Sequence, residues 1–113
     1  MITATDLQQF TGTEHYYKYI GGLKLTDGVK YLAETAQCYW LLDIIASYAA
    51  GLHKKEEFLV CNLYKNADNS ALFTINDGND NILIKQEIPY TDFPMDTVKL
   101  YCISFVVLLP SEY

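Results

Sequence analysis

The sequence predicts an α+β fold: one main long helix, straight or kinked, packed on an antiparallel sheet of four to five strands, with a small N-terminal hairpin. Three observations predict this fold. Apolar residues recur every three or four positions from Val29 to Tyr48, which is the spacing of one helix face. Runs rich in β-branched and aromatic residues fill the second half of the chain. A length of 113 residues is typical of a single domain, here expected to span 1–113.

The first 25 residues are expected to form a helical turn followed by the hairpin. The polar stretch TATDLQQF, residues 3–10, is typical of a short helical turn capped by Thr3 or Thr5. The stretch YYKYIGGLKL, residues 16–25, places β-prone residues on both sides of two glycines, a pattern that predicts two strands joined by a tight turn.

The main helix is expected to begin after Thr26 or Asp27, either of which can cap the first turn, and to end at Gly51. It forms either one continuous helix or two with a kink near residues 35–37. The stretch TAQCYWLLDIIASYAAG, residues 35–51, is apolar on almost every side, so neighbouring elements must cover most of its surface.

The polar row on this helix consists of Tyr39, Asp43 and Ser47, which are four residues apart and therefore aligned. The simplest interpretation is that the row is the narrow solvated edge of a covered helix. In a second interpretation, Asp43 is partly buried and bonded to tyrosine or lysine groups at a binding surface. In a third, Asp43 is catalytic.

Four strands are expected in the second half, at residues 58–64, 70–76, 81–88 and 98–109. Asp77-Gly78 lies between two of them and predicts a hairpin. In the third run, isoleucines at 82, 84 and 88 share one face while Leu83, Lys85 and Glu87 share the other, mostly polar face, which predicts a sheet covered on one side. The last run is apolar on both faces, so we expect it at the centre of the sheet, or with its second face buried by the helix or by a partner. Alternatively, it folds back near Ser104 and forms a fifth strand.

The charge composition limits the classes of partner. The net charge is −6, and all eight positive side chains are lysine. Without arginine, an acidic chain is poorly suited to phosphate, so we expect no direct nucleic-acid binding. An acidic surface suits a basic protein partner. No apolar run reaches the ~20 residues of a membrane span, so no membrane association is expected.

The three cysteines lie in separate apolar runs, and the N-terminal residues have no secretory pattern. An odd number of cysteines in such settings is typical of a reducing compartment, so we expect a cytoplasmic protein.

No pattern in the sequence indicates catalysis or metal binding. The two histidines lie far from the cysteines in sequence, and the nucleophile-elbow, dinucleotide and phosphate-loop motifs do not occur. The stretch DGNDN, residues 77–81, imitates the start of a calcium loop, but Ile82 and Ile88 stand where glycine and glutamate are needed. We therefore expect a protein that is not an enzyme and has no cofactor and no metal.

Ten tyrosines are the most unusual feature of the composition. Tyrosine combines a large contact area with a polar tip and is enriched at protein interfaces, although aromatic residues also fill the faces of small sheets. We expect a tyrosine-rich acidic interface whose candidate residues are Tyr16, Tyr17, Tyr19, Tyr39, Asp43, Tyr90 and Asp92.

Several segments in order, FTGTEHYY, TDGVKYLAETAQCYWLLDIIAS, YTDFP and LLPSEY, resemble a family of small bacterial and phage proteins classed as a domain of unknown function. The resemblance spans about Phe10 to Tyr113. The family often has an Asp-Gly turn before the last LLP, where this chain has Ile103-Ser104-Phe105. The resemblance implies a compact accessory protein of mobile or variable genes and assigns no activity or site residue.

These observations favour a non-enzymatic protein-interaction module, such as a phage or mobile-element inhibitor that blocks a host protein. One alternative is a small-molecule binder, with a nucleotide or signalling ligand stacked on tyrosines between helix and sheet. A further alternative is a homo-oligomeric structural protein, most simply a two-fold homodimer that covers the last strand and the tyrosines.

Overall fold

A computed structural model describes residues 2–113 of the chain. The fold is a seven-stranded mixed sheet with two main helices on one face. The helices are α1 (Ala4–Gln8), α2 (Asp27–Thr35) and α3 (Tyr39–Leu52), and single 3₁₀ turns occupy Ile20–Gly22 and Pro110–Glu112. The strands are β1 (Tyr17–Lys18), β2 (Lys24–Leu25), β3 (Phe58–Lys65), β4 (Ala71–Asn76), β5 (Ile82–Ile88), β6 (Thr97–Ile103) and β7 (Val106–Leu108).

The predicted antiparallel sheet of four to five strands is wrong. The strand order is β1-β2-β7-β6-β3-β4-β5, and β2 pairs with β7 in parallel. The strands around Gly21-Gly22 do pair with each other, but they extend the main sheet instead of forming a separate hairpin. Strands of two residues are too short to show hydrophobic alternation, so the sequence carries no signal for this extension.

The single long helix is also wrong, because the segment forms two helices. Gln37 lies between them with φ 52°, a left-handed conformation that ends α2, and the Cys38 amide donates back to the Ala33 carbonyl. Thr26 caps α2 as predicted, and its hydroxyl accepts from the Val29 amide. Gly51 does not end α3, which continues to Leu52.

The last apolar run folds back, so the alternative with a turn near Ser104 is confirmed. Ser104 and Phe105 have φ of 48° and 70°, a pair of left-handed residues that joins β6 to β7. The Phe105 amide donates to His53 Nε2 at 3.2 Å, and the two rings lie 4.6 Å apart. These contacts hold a turn that neither residue favours. The central position expected for this run is confirmed, since β6 is the middle strand.

The two faces of the sheet differ in what covers them. On the inner face, Leu59, Cys61 and Leu63 of β3 belong to a continuous core that includes Leu41 and Ile45 of α3. Within residues 2–113, no helix packs on the outer face, which carries the alternate β3 residues. Across the strands it presents one row of facing residues: Lys99, Asn62, Thr74 and Lys85.

The last residues return to the start of α2. The Glu112 carboxylate accepts from the Thr26 hydroxyl at 2.6 Å, the Gly28 amide at 3.1 Å and the Leu109 amide at 3.0 Å. A negative charge at a helix N-terminus is favourable because the first amides there have no helical partners. Gly28 is required by this close approach, since a Cβ on it would lie 2.5 Å from Leu109 Cδ1.

Candidate functional site

The strongest candidate is a surface formed by β1, the following 3₁₀ turn and the two main helices. We call it the tyrosine–carboxylate surface and define it by Tyr17, Tyr19, Asp27, Lys30, Glu34, Tyr39 and Asp43. The backbone brings these elements together at Gly21, where a Cβ would lie 3.1 Å from the Ala46 Cβ of α3. The 3₁₀ turn can therefore pack directly on the helix only with a small residue at this position.

The first half of the surface combines Tyr19, Tyr39 and Asp43. The Tyr19 hydroxyl donates to Asp43 Oδ1 at 2.5 Å, and it lies 3.4 Å from the Tyr39 carbonyl oxygen. The rings of Tyr19 and Tyr39 are stacked, with centroids 5.8 Å apart and planes 19° apart. Partial burial and the bond to Asp43 raise the pKa of Tyr19 to about 12. The phenol therefore stays neutral and keeps donating at physiological pH.

The outcome for the row on α3 is mixed. Tyr39, Asp43 and Ser47 are all exposed, as expected for the solvated edge of the helix. Asp43 is bonded to a tyrosine, as the binding-surface interpretation requires, but it is exposed where that interpretation places it partly buried. The carboxylate is therefore held in position and remains accessible to a partner.

The second half of the surface holds a cation of the chain itself. Lys30 Nζ lies 4.6 Å from the centre of the Tyr17 ring and 3.0 Å from Glu34 Oε1. The Tyr17 hydroxyl donates to Asp27 Oδ1 at 3.0 Å, and the Glu14 amide donates to the same carboxylate. The hydrogen bond from the Glu14 amide, together with weaker hydrogen bonds to the same carboxylate, lowers the pKa of Asp27. The hydrogen bond to Glu34 raises the pKa of Lys30. Both shifts favour the charged forms of Asp27 and Lys30 at neutral pH.

The other predicted candidates lie at the edge of this surface or away from it. Tyr16 is 59% exposed and precedes β1, next to the surface in the chain. Tyr90 and Asp92 are exposed and line a different cavity of about 280 Å³ with Trp40, Ile88 and Thr91. The structure therefore brings together Tyr17, Tyr19, Tyr39 and Asp43, and it places the remaining three candidates elsewhere.

The outer sheet face contains residues that sequence reasoning missed. Phe58, Tyr101 and Tyr113 form a cluster with ring centroids 5.1 to 5.6 Å apart. Beside it lies a cavity of about 420 Å³, lined by residues that include Asn62, Tyr64 and Lys99. The alternation of side chains in FLVCNLYK was a usable signal, because it places Asn62 and Tyr64 on the face opposite the core.

The contact between His53 and Cys102 has a structural role. Cys102 Sγ lies 3.5 Å from His53 Nε2, but Cys102 is fully buried, and burial raises its pKa to about 12. His53 Nε2 also accepts from the Phe105 amide, which fixes the turn before β7. A thiol of this kind is not a nucleophile at neutral pH.

Residues 2–113 contain no group of three or more His, Cys, Asp and Glu side chains that could hold a metal ion. None of their helices combines the length and apolar character needed to cross a membrane.

Comparison with known proteins matches residues 1–113 to the model of a family of unknown function, DUF6876. The chain belongs to this family. The resemblance to a domain of unknown function is thus confirmed, and DUF6876 covers the whole chain. No curated protein and no solved structure matches the chain.

Proposed function

We propose that this DUF6876 protein is a non-enzymatic interaction module that binds a basic segment of a partner protein. The binding centre is the half of the tyrosine–carboxylate surface formed by Tyr19, Tyr39 and Asp43. A partner arginine or lysine would lie against the tyrosine rings and pair with the Asp43 carboxylate. Occupying a basic surface in this way would block it, which is how an inhibitor of a host protein would act.

The observation that carries the proposal is the internal lysine next to this centre. In the other half of the surface, Lys30 makes the contacts proposed for a partner cation, over a tyrosine ring and beside a carboxylate. The Tyr19, Tyr39 and Asp43 group offers the same chemistry, yet no lysine or histidine of residues 2–113 forms an ion pair with Asp43. A cation over an aromatic face is stabilised by about 0.5–1 kcal/mol at exposed sites.

Two further properties support a protein partner. The rings are held by a helix and a packed turn, and the Tyr19 phenol is tethered to Asp43, so little side-chain freedom is lost on binding. Asp27, Glu34 and Asp43 place three carboxylates on one surface of a chain whose net charge is −6. Such a field attracts basic segments and accelerates their association.

The proposal is tested by titrating the protein with a short arginine peptide and, as a charge control, a glutamate peptide of equal length. Asp43→Asn removes the charge while keeping an oxygen that can accept from Tyr19. Asp96→Asn is the matched control, because Asp96 is exposed and precedes β6, which is not one of the elements that form the tyrosine–carboxylate surface. Calorimetry at low and high salt measures the affinities.

We expect the arginine peptide to bind and the glutamate peptide not to bind. Asp43→Asn and Tyr39→Ala should each weaken binding roughly two- to fivefold, since an exposed ion pair or cation–π contact contributes about 0.5–1 kcal/mol. Added salt should weaken wild-type binding and reduce the effect of Asp43→Asn. Equal losses in Asp43→Asn and Asp96→Asn would mean that the peptide responds only to net charge, and the proposed centre would be wrong.

A further inference from the structure

We infer that the outer sheet face holds a second site, which binds the pyranose ring of a sugar. The site is the cavity of about 420 Å³ formed by β3, β6 and the β4–β5 turn. Its volume lies in the range of small-molecule pockets, and it faces away from the helices and the tyrosine–carboxylate surface.

The first observation is a buried amide without a partner. Asn62 is only 7% exposed, yet none of the hydrogen bonds within residues 2–113 involves its carboxamide. The described residues contain no fully buried polar side-chain atom that lacks a partner, so the carboxamide atoms are reached from the cavity. The carboxamide therefore offers a donor and an acceptor to the cavity, and a ligand with both donors and acceptors would replace the water that it now meets.

The second observation is the balance of charge in the cavity wall. Lys99 contributes one ammonium group and Asp80 one carboxylate, and they form no ion pair with each other in the described chain. An anionic ligand would be attracted by Lys99 but repelled by Asp80 and by the net charge of −6. A neutral ligand with hydroxyl groups can accept from Lys99 and donate to Asp80.

The third observation is the aromatic part of the wall. Phe58 and Tyr101 lie with ring centroids 5.1 Å apart, and Tyr64 is 43% exposed. These flat apolar surfaces stand beside the polar groups, so a ligand must have an apolar face as well as hydroxyl groups at its edge. A pyranose ring has both, because its C–H bonds form one face and its hydroxyls lie around the rim.

The test uses nuclear magnetic resonance of the labelled protein and follows the side-chain amide signals of Asn62. The probes are the methyl glycosides of glucose, galactose, mannose and N-acetylglucosamine, each with a linear oligosaccharide of the same sugar, and adenosine monophosphate. Lys99→Gln removes the ammonium from the wall. Lys85→Gln is the matched control, because Lys85 lies on the same face and in the same cross-strand row but outside the cavity.

We expect at least one glycoside to shift the Asn62 amide signals saturably at millimolar concentration. Lys99→Gln should weaken that binding about tenfold, as expected for loss of a hydrogen bond to a charged group, while Lys85→Gln should leave it unchanged. Equal affinity for glycoside and oligosaccharide would indicate a free sugar, and tighter binding of the oligosaccharide would indicate a glycan.

The inference is overturned if no sugar moves the Asn62 signals, if adenosine monophosphate binds more tightly than every sugar, or if both lysine variants lose binding equally. Because Lys99 and Lys85 are exposed, both variants are expected to fold, and the backbone spectrum checks this directly. The arginine peptide tests a different surface, so failure of either site leaves the other standing.

Discussion

Glu112 ties the end of the chain to the start of α2, and we predict that Glu112→Ala destabilises the fold by about 3 kcal/mol. The carboxylate accepts three hydrogen bonds, from the Thr26 hydroxyl and from the amides of Gly28 and Leu109. A hydrogen bond to a charged group contributes about 1.5–3 kcal/mol, and a charge at a helix N-terminus adds about 0.5 kcal/mol. Glu112 is half-buried, so water can replace part of the hydrogen bonding that the substitution removes. The expected fall in the free energy of unfolding is therefore well below the sum of the individual contributions.

Urea unfolding followed by circular dichroism measures this difference, and a loss of ~3 kcal/mol corresponds to a fall in Tm of roughly 12 °C for a domain of this size. Glu112→Gln retains one carbonyl acceptor and should lose about half as much. Glu87→Ala is the matched control at an exposed position of the edge strand, and we expect it to change stability by less than ~0.5 kcal/mol. If Glu112→Ala and Glu87→Ala unfold at the same urea concentration, the C-terminal contact does not stabilise α2.

Three further predictions follow from the same structure. Gly28→Ala should destabilise the protein by about 2 kcal/mol, although alanine normally favours a helix, because its methyl group meets Leu109; unchanged urea unfolding would contradict this. The three cysteines are buried, so a thiol reagent should label the native protein slowly and the protein in urea completely; rapid native labelling would show that the core is open. Ultraviolet titration should show Tyr19 ionising near pH 12, and Asp43→Asn should lower this pKa because it removes the negative charge while burial, the larger cause, remains; an unchanged pKa would show that the Asp43 charge does not act on the phenol. Because folding raises this pKa, the stabilisation is complete below about pH 10 and is lost as the pH rises through about 12.

The parts of the fold that could be predicted are those with strong local signals. Thr26 was recognised as a cap, and the runs around Asp77-Gly78 are indeed neighbouring strands β4 and β5. The helix break near residues 35–37 was predicted only as an alternative to one continuous helix, because Gln37 adopts a left-handed conformation that glutamine rarely takes. The Ser104-Phe105 turn lacks the Asn-Gly or Asp-Gly sequence of such turns and depends on His53, which is 52 residues away in the chain.

The sequence predicts which residues belong to the candidate site but not how they are placed relative to one another. The cluster of tyrosines at 16, 17 and 19 and the isolated Asp43 were both evident from the sequence. The bond between Tyr19 and Asp43 joins residues 24 apart, and it exists because the glycine turn packs on α3. The extension of the sheet by β1 and β2 positions that turn, and two-residue strands leave no periodic pattern from which it could be inferred.

The central proposal is that a basic segment binds at Tyr19, Tyr39 and Asp43. The most direct measurement is a nuclear magnetic resonance titration of the labelled protein with the arginine peptide, read residue by residue. We predict that the backbone signals of these three positions move first and saturate together, and that in Asp43→Asn they saturate only at a severalfold higher peptide concentration. Shifts that appear instead on the outer face of β4 and β5, with these three residues unmoved, would contradict the account.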